Sequence, residues 1–367
     1  MLRIDIFITR TCQLSCSYCE AVGSKVMSLD TAKEIISFIK KDKHKNYRII
    51  FQGGEPFTNY SVMKFFIEEI KKIKNKRFNV EVLTNLIIWN NEIAEFIRKH
   101  NIRIQTSLDG TKKTHNANRR LKDGTGSYRL VVKNLKKALK FFPDIQVKMV
   151  CAWSKNKSYK SFKADVDSII KLGVKNLHIS YDYRILDLNR IEKMNRYIQK
   201  WYCEYAKHKK NIPPLNSINE NLKRIIIPSE EYGKKYIKFG CDTLKGALTI
   251  DIDGKVYPCL FYLLANNHRK FSFGHISKLN KKVMSLFYAS GRSFMHNYMH
   301  SKINLLNNKI KIPYCMSFNY RIKGKSFECA SNLLRVTESE IKRDLQIYQT
   351  LKKYSWFTKA LSNKAIT

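Results

Sequence analysis

Three cysteines, Cys12, Cys16 and Cys19, lie within eight residues directly after the apolar run Ile4–Thr9. Thiolates on so short a loop can hold one soft metal centre. Zinc and iron–sulfur sites both use such spacings, but a structural zinc requires four protein ligands. No further Cys or His precedes His44, so the loop itself offers no fourth ligand. The pattern therefore favours a four-iron cluster with one open iron, and a zinc knuckle stays as the alternative.

The elements that must position this loop alternate between strand-like and helix-like segments through the first 210 residues. The strand-like segments are Arg3–Thr9, Tyr47–Gln52, Asn79–Thr84, Arg103–Ser107, Gln146–Trp153 and Asn176–Tyr181. The helix-like segments are Ser28–Lys41, Ser61–Lys74, Asn91–His100, Tyr128–Phe142, Tyr159–Leu172 and Leu188–Lys207. Six strand–helix units in series predict an α/β fold with a parallel sheet, curled as a partial, TIM-like barrel.

Four successive predicted strands end in chemically useful groups. The first runs into the cysteine loop, and the next three end at Gly53-Gly54-Glu55-Pro56, at Thr84-Asn85 and at Ser107-Leu-Asp109-Gly110. Reactive groups in such folds gather at the carboxyl ends of the strands. Paired glycines also allow the backbone to approach a ligand closely. These four strand ends therefore predict one shared site.

A second cysteine set follows a connecting stretch over residues 211–240. It consists of Cys241, Cys259, Cys315 and Cys329. The segment from Leu248 to Cys259 reads as a β-hairpin with an Asp-Gly turn, which places Cys259 near the end of the sheet. Four cysteines fit one further iron–sulfur cluster, and zinc satisfies the same ligand count.

Length and cysteine usage bound the class of protein. The chain has 367 residues, which predicts one large domain and a smaller one. Nowhere do 18 apolar residues follow one another, so no membrane span is expected. No basic leader with a long apolar region is visible at the N-terminus. Nine cysteines, odd in number and partly clustered, indicate metal ligation in a reduced compartment, and we expect a cytoplasmic protein.

The charge balance is extreme, with 69 Lys and Arg against 30 Asp and Glu and a net charge of +39. Basic clusters lie mostly on or just after predicted helices, as in residues 40–45, 71–77 and 207–210. Such a field attracts an acidic peptide, a nucleic acid or an anionic surface. A nucleic-acid-binding protein with structural metal sites is therefore one alternative, although no RNA-binding motif accompanies the charge.

The Cys12-x3-Cys16-x2-Cys19 loop with Tyr18 before its last cysteine, together with the Gly-Gly-Glu-Pro motif, resembles the radical S-adenosylmethionine (SAM) superfamily. The resemblance implies that the open iron of a [4Fe–4S] cluster chelates SAM, which one electron cleaves to a 5′-deoxyadenosyl radical. It also implies an electron donor such as a flavodoxin or ferredoxin. The implied cofactor-binding residues are Gly53, Gly54, Glu55, Pro56, Thr84, Asn85, Ser107 and Arg119, with Arg120 as the competing arginine.

The second cysteine set resembles the SPASM/twitch extension of these enzymes, in which a cysteine precedes a Gly-x4-Cys hairpin. The interior cysteines of the full SPASM run are missing here, so the resemblance implies a single auxiliary cluster on Cys241, Cys259, Cys315 and Cys329. The expected organisation is a radical SAM partial (β/α)6 barrel over 1–210, a connecting segment over 211–240, a small α+β auxiliary iron–sulfur domain over 241–335, and a C-terminal helix and tail over 336–367.

The resemblance extends to anaerobic sulfatase-maturating enzymes and peptide maturases. Sulfatase maturation uses an Asp after the hairpin cysteine as a base, and Leu260 stands there in this chain, which disfavours formylglycine formation. The leading prediction is hydrogen abstraction from a peptide or protein, and the basic surface would suit an acidic one. A twitch-type small-molecule oxidoreductase and an RNA-modifying enzyme are the alternatives. Cys151, Cys203 and Asp182 are the candidate catalytic residues.

Overall fold

The computed structural model describes residues 1–21, 23–151, 157–182, 187–226, 243, 246–264, 268–290 and 331–363. Within them, the core is a mainly parallel eight-stranded sheet with strand order β10-β9-β1-β3-β4-β5-β7-β8. The two outermost strands do not pair, so the sheet is open. Its eight strands are β1 (Leu2–Thr9), β3 (Asn46–Gly53), β4 (Arg77–Leu83), β5 (Arg103–Ser107), β7 (Gln146–Cys151), β8 (Asn176–Tyr181), β9 (Leu248–Ile250) and β10 (Val256–Tyr257).

The six strand–helix units predicted from the sequence are confirmed, with boundaries that agree to within three residues. The helices with defined bounds are α1 (Leu29–Lys41), α2 (Tyr60–Lys71), α3 (Asn91–Lys99), α4 (Lys112–Asn118), α5 (Tyr128–Phe141), α6 (Tyr159–Ile170), α7 (Leu188–Lys209), α8 (Asn216–Ile226), α9 (Leu260–Leu263), α10 (Ser331–Leu351) and α11 (Ser355–Asn363). Residues 281–290 are helical as well. Short 3-10 helices cover Pro56–Asn59 and His268–Phe271. Residues 216–226 form α8 inside the stretch that the sequence analysis treated as a connection.

Side-chain caps begin several of these helices. The predicted N-cap Ser28 accepts a hydrogen bond from the Thr31 amide, and Asn90 does the same for Ile93. Gly173 ends the turn after α6 with a φ of +88°, a conformation that suits glycine. These local signals fix where each helix starts or stops, and thereby fix the loops at the strand ends.

Two features were not anticipated from the sequence. First, β9 of the predicted hairpin pairs in parallel with β1, so the hairpin extends the main sheet beside the strand that leads into the cysteine loop. Second, β2 (Leu14–Cys16) and β6 (Arg119–Leu121) form a separate antiparallel ribbon. A third pair, β11 (Gly274–His275) with β12 (Lys278–Leu279), is a short hairpin of its own.

The C-terminal helices pack against helices that flank the main sheet. The C-terminal helix predicted within residues 336–367 runs over Ser331–Leu351 as α10, and Arg343 on it donates to Asn195 of α7 at 2.9 Å. The same Asn195 accepts from Tyr181 at the end of β8 at 2.7 Å. Buried polar contacts therefore tie the C-terminal helix to the last strand of the sheet. No helix in the described ranges is long and apolar enough to cross a membrane.

Candidate functional site

The cysteine loop leaves β1 at the carboxyl edge of the sheet. Cys12 and Cys16 are half-buried and Cys19 is exposed. The Sγ of Cys12 accepts hydrogen bonds from the Leu14 amide and from the Asn85 side-chain amide, both at 3.4 Å. Such N–H donors suit a sulfur that carries thiolate charge in a cluster, and they orient it.

Burial raises the pKa of Cys12, and it raises the pKa of Cys16 to about 11. The cysteine thiols are therefore expected to lose their protons only when a cationic metal centre binds to the sulfur atoms. In the described ranges no three Cys, His, Asp or Glu side chains converge on a single metal-ion position. A four-iron cluster suits this loop, because each of its thiolates binds a different iron.

The Gly53-Gly54 pair packs against the backbone of the loop that carries Cys12. The Gly54 amide donates to the Thr9 carbonyl at 2.8 Å, and the Glu55 amide donates to the Thr11 carbonyl at 2.7 Å. A Cβ on Gly53 would lie 2.1 Å from the Thr9 carbonyl oxygen, and φ at Gly53 is +136°. The glycines thus permit a close approach of two protein loops, in addition to any approach to a ligand.

Glu55 is fully buried beneath these loops. Its carboxylate accepts hydrogen bonds from Thr84 Oγ1 at 2.9 Å, from the Asn85 amide at 2.7 Å and from the Phe57 amide at 3.2 Å. Burial raises the pKa of Glu55 to about 7. The ends of β3 and β4 and the cysteine loop are therefore joined, with Asn85 linking Glu55 to Cys12, as the strand-end argument predicted.

Asp109 lies at the centre of a second, buried set of contacts. Its carboxylate accepts hydrogen bonds from the Tyr18 hydroxyl, from Arg119 Nε at 3.0 Å and from the Val150 amide at 3.0 Å. The guanidinium of Arg119 also lies 5.1 Å from the centre of the Tyr18 ring. Asp109 therefore joins the cysteine loop to β6 and β7.

The two candidate arginines lie on opposite faces of the ribbon. Arg119 pairs with Cys16 across the ribbon and is 7% exposed, whereas the next residue, Arg120, is exposed. Successive strand residues point to opposite faces. Arg119 consequently lies on the inner face with Asp109, and Arg120 lies on the outer face, where its Nε donates to the Asn116 carbonyl at 3.2 Å.

Three polar side chains on the neighbouring strands β5, β7 and β8 share one face of the sheet. Ser107, Lys148 and His178 are register partners on β5, β7 and β8, and all three are partly exposed. Their neighbours Val147 and Leu177 are fully buried in the core on the opposite face. Among the described residues Lys148 pairs with no carboxylate. Lys148 and His178 escaped the sequence analysis, although period-two alternation in Gln146–Cys151 and Asn176–Tyr181 marks them.

Two of the three candidate catalytic residues lie at neighbouring strand ends, because Cys151 is the register partner of Tyr181, which directly precedes Asp182. Cys151 lies on the core face of β7, and burial raises its pKa to about 12. Cys203 is half-buried on α7, where burial raises its pKa too. Asp182 follows β8 and is buried, at 8% exposure. Burial thus disfavours the thiolate form of both cysteines, and the catalytic roles of the three residues stay predictions.

The second cysteine set is described only at Cys259, which is half-buried and immediately precedes α9. Cys241, Cys315 and Cys329 lie outside the described residues, so their ligation stays a prediction. The hairpin that carries Cys259 is fixed to the cysteine loop by an ion pair of 2.7 Å between Arg10 and Asp251. Phe7, Tyr257 and Leu263 form an apolar cluster between β1 and α9.

Comparisons with known proteins agree with this geometry. Residues 6–152 match the family "Radical SAM superfamily", and residues 241–290 match SPASM, an "Iron-sulfur cluster-binding domain". The cysteine-type anaerobic sulfatase-maturating enzyme of Clostridium novyi is 24% identical over 350 residues, which cover 88% of each chain.

Two solved structures share the fold. "Native anSMEcpe with bound AdoMet" aligns over 95% of this chain and 99% of that chain, with a TM-score of 0.72 at 16% identity. Streptococcus suis SuiB bound to its precursor peptide SuiA aligns over 90% of this chain and 75% of SuiB, with a TM-score of 0.60 at 17% identity.

The strand-end site and these matches define the class: residues 6–152 form a radical SAM domain, and residues 241–290 match a SPASM domain. The chain is a SPASM-type enzyme whose cofactors are a [4Fe–4S] cluster, SAM and an auxiliary iron–sulfur cluster.

His115 gives the site a pH-dependent stability. It is fully buried, its Nδ1 accepts from the Asp109 amide at 3.3 Å, and its Nε2 lies 2.9 Å from Ser127 Oγ. Burial lowers the pKa of His115 to about 4. The unfolded chain therefore binds a proton before the folded one does, and stability should fall as pH drops. The contribution of His115, measured by denaturant titration as the difference between the wild type and a variant without this histidine, should be a loss of about 2 kcal/mol between pH 7 and pH 5.

A His115→Gln variant should flatten this pH dependence. His208→Gln, at the exposed end of α7, is the matched control and should keep the wild-type slope. An equal slope in the wild type and in His115→Gln would contradict the assignment.

Proposed function

We propose that this radical SAM enzyme abstracts hydrogen from a peptide or protein and thereby modifies it after translation. The observation that carries the proposal is the fold, which is shared over 90% of the chain with SuiB bound to its precursor peptide and over 95% with anSMEcpe. The relative from Clostridium novyi, a sulfatase-maturating enzyme, supports a protein substrate as well.

The residues that would hold the cofactors are those at the strand ends. Cys12, Cys16 and Cys19 would ligate the cluster, and Gly53, Gly54, Glu55, Pro56, Thr84, Asn85, Ser107 and Arg119 would surround SAM. When bound, the cluster and SAM supply a 5′-deoxyadenosyl radical that takes a hydrogen atom from carbon. Glu55 is held by three hydrogen bonds, so its position is fixed before any ligand arrives.

Leu260 supports a chemistry other than formylglycine formation. Its side chain packs against the cluster of Phe7, Tyr257 and Leu263, so the residue after Cys259 contributes to apolar packing and offers no base. A product that needs no base at this position, such as an epimer, is therefore favoured over an oxidised side chain.

The unpaired charge of Lys148 favours an acidic substrate. Burial lowers the pKa of Lys148, with the Arg119 charge adding to the effect, so an approaching carboxylate would relieve an unfavourable environment. Lys148→Met should raise KM for an acidic peptide about tenfold, which corresponds to about 1.4 kcal/mol. Turnover at saturating peptide should change little.

Lys148→Arg is the conservative control and should recover most of the affinity. A peptide whose acidic residues are replaced by amides should bind the wild type and Lys148→Met equally. A KM that does not depend on residue 148 would refute this role.

The proposal is tested by anaerobic co-expression with candidate acidic peptides, such as the product of any short reading frame found beside the gene, followed by mass spectrometry. A loss of two hydrogens, or one deuterium gained in heavy water, is the expected result. Unmodified peptides, together with SAM-dependent turnover of a small molecule, would contradict the proposal and support the oxidoreductase alternative.

A further inference from the structure

The outer face of the β2–β6 ribbon carries a concentration of positive charge beside the cysteine loop. An open cavity of about 390 Å³ is lined there by Lys113, Asn116, Ala117, Arg120, Gly124 and Gly126. Lys122 is exposed in the turn that directly follows β6, two residues after Arg120. We call this face, made by Lys113, Arg120 and Lys122, the ribbon surface; Asp123 is the acid next to it.

The ribbon surface is the back of the loop that would hold the cluster. Cys16 pairs with Arg119 and Ser15 pairs with Arg120 across the ribbon. The Lys122 amide donates to the Gln13 carbonyl at 3.0 Å, and the Ser17 amide donates to the Asn118 carbonyl at 2.8 Å. A molecule seated on this face is therefore separated from Cys16 by one strand of protein.

The two faces of the ribbon differ in their exposure and in which kind of molecule has to reach them. Arg119 on the inner face is engaged by Asp109 and Tyr18, whereas Ser15, Ser17 and Cys19 on the loop are exposed. A substrate must reach the strand ends near Ser107, which lie on the inner side. A partner that only passes an electron needs proximity to the cluster and no entry to the pocket.

We propose that the ribbon surface docks a small acidic electron-carrier protein that reduces the cluster. One electron leaves the carrier and passes through the cluster to SAM, whose sulfur–C5′ bond breaks into methionine and a 5′-deoxyadenosyl radical. The carrier is left oxidised by one electron, and no other reactant is needed. Charge complementarity of this kind accelerates encounter and is weakened by salt.

The test compares two reductants. Lys113→Glu/Lys122→Glu reverses two charges of the ribbon surface, and Lys207→Glu/Lys209→Glu makes the same change at the far end of α7. SAM cleavage is measured as 5′-deoxyadenosine formed with dithionite and, separately, with an acidic flavodoxin kept reduced by its reductase. Binding of the oxidised flavodoxin to each protein is measured by surface plasmon resonance at several salt concentrations.

We expect Lys113→Glu/Lys122→Glu to keep the dithionite rate and to lose at least about tenfold in flavodoxin affinity and flavodoxin-driven rate. The far-end variant should resemble the wild type, whose flavodoxin affinity should fall as salt rises. Equal losses with both reductants would mean that these lysines maintain the loop, and would overturn the proposal. Unchanged flavodoxin binding with weakened binding of an acidic peptide would overturn it too, by assigning the surface to the substrate.

Discussion

Replacing Cys16 by alanine is expected to abolish reductive cleavage of SAM. Cys16 is the central cysteine of the loop and lies on the ribbon opposite Arg119. Three thiolates leave one iron open for SAM, and removal of one of them leaves the cluster without its full set of protein ligands. The measurement is 5′-deoxyadenosine formed under dithionite, which should fall to background.

Cys203→Ala is the matched control, because this half-buried thiol on α7 lies outside the strand-end site. It should retain wild-type cleavage. If Cys16→Ala still formed 5′-deoxyadenosine at a substantial rate, the loop would not be the site of SAM chemistry.

Asp109→Asn is expected to destabilise the fold more than any other conservative change at the site. Asp109 is fully buried, and the substitution leaves the Arg119 guanidinium, 7% exposed, without a counter-charge. Breaking a buried ion pair by removing one partner lowers the free energy of unfolding by about 3–5 kcal/mol. The change should be measured by anaerobic denaturant titration, and SAM cleavage should slow because Tyr18 loses its anchor.

Asp123→Asn, an exposed carboxylate in the next turn, is the control and should alter stability by less than about 0.5 kcal/mol. Adding Arg119→Met to Asp109→Asn should restore part of the stability, since the unpaired buried cation is then gone. No difference in stability between Asp109→Asn and the wild type would refute the role given to this pair.

Much of the fold could be predicted from the sequence because local signals and the core pattern agree. Alternating apolar runs located β1, β3, β4, β5, β7 and β8, and the capping residue Ser28 marked the start of α1. The strand-end rule then grouped the cysteine loop with Glu55, Thr84 and Asn85, and the hydrogen bonds between these residues confirm that they lie together.

The contacts that the sequence did not predict join residues far apart along the chain. β2 and β6 are three residues long and carry no periodic signal, yet their pairing decides which of Arg119 and Arg120 faces the site. Likewise β9 is short, and only its pairing with β1 shows that the hairpin extends the main sheet. Lys148 becomes notable only when the register places it between Ser107 and His178.

The metal content of the anaerobically reconstituted protein tests the central claim most directly. Two four-iron clusters predict about eight irons per chain with matching sulfide, and the reduced protein should form 5′-deoxyadenosine from SAM. Stoichiometric zinc without iron, and no cleavage of SAM, would contradict the account of this chain as a radical SAM enzyme with an auxiliary cluster.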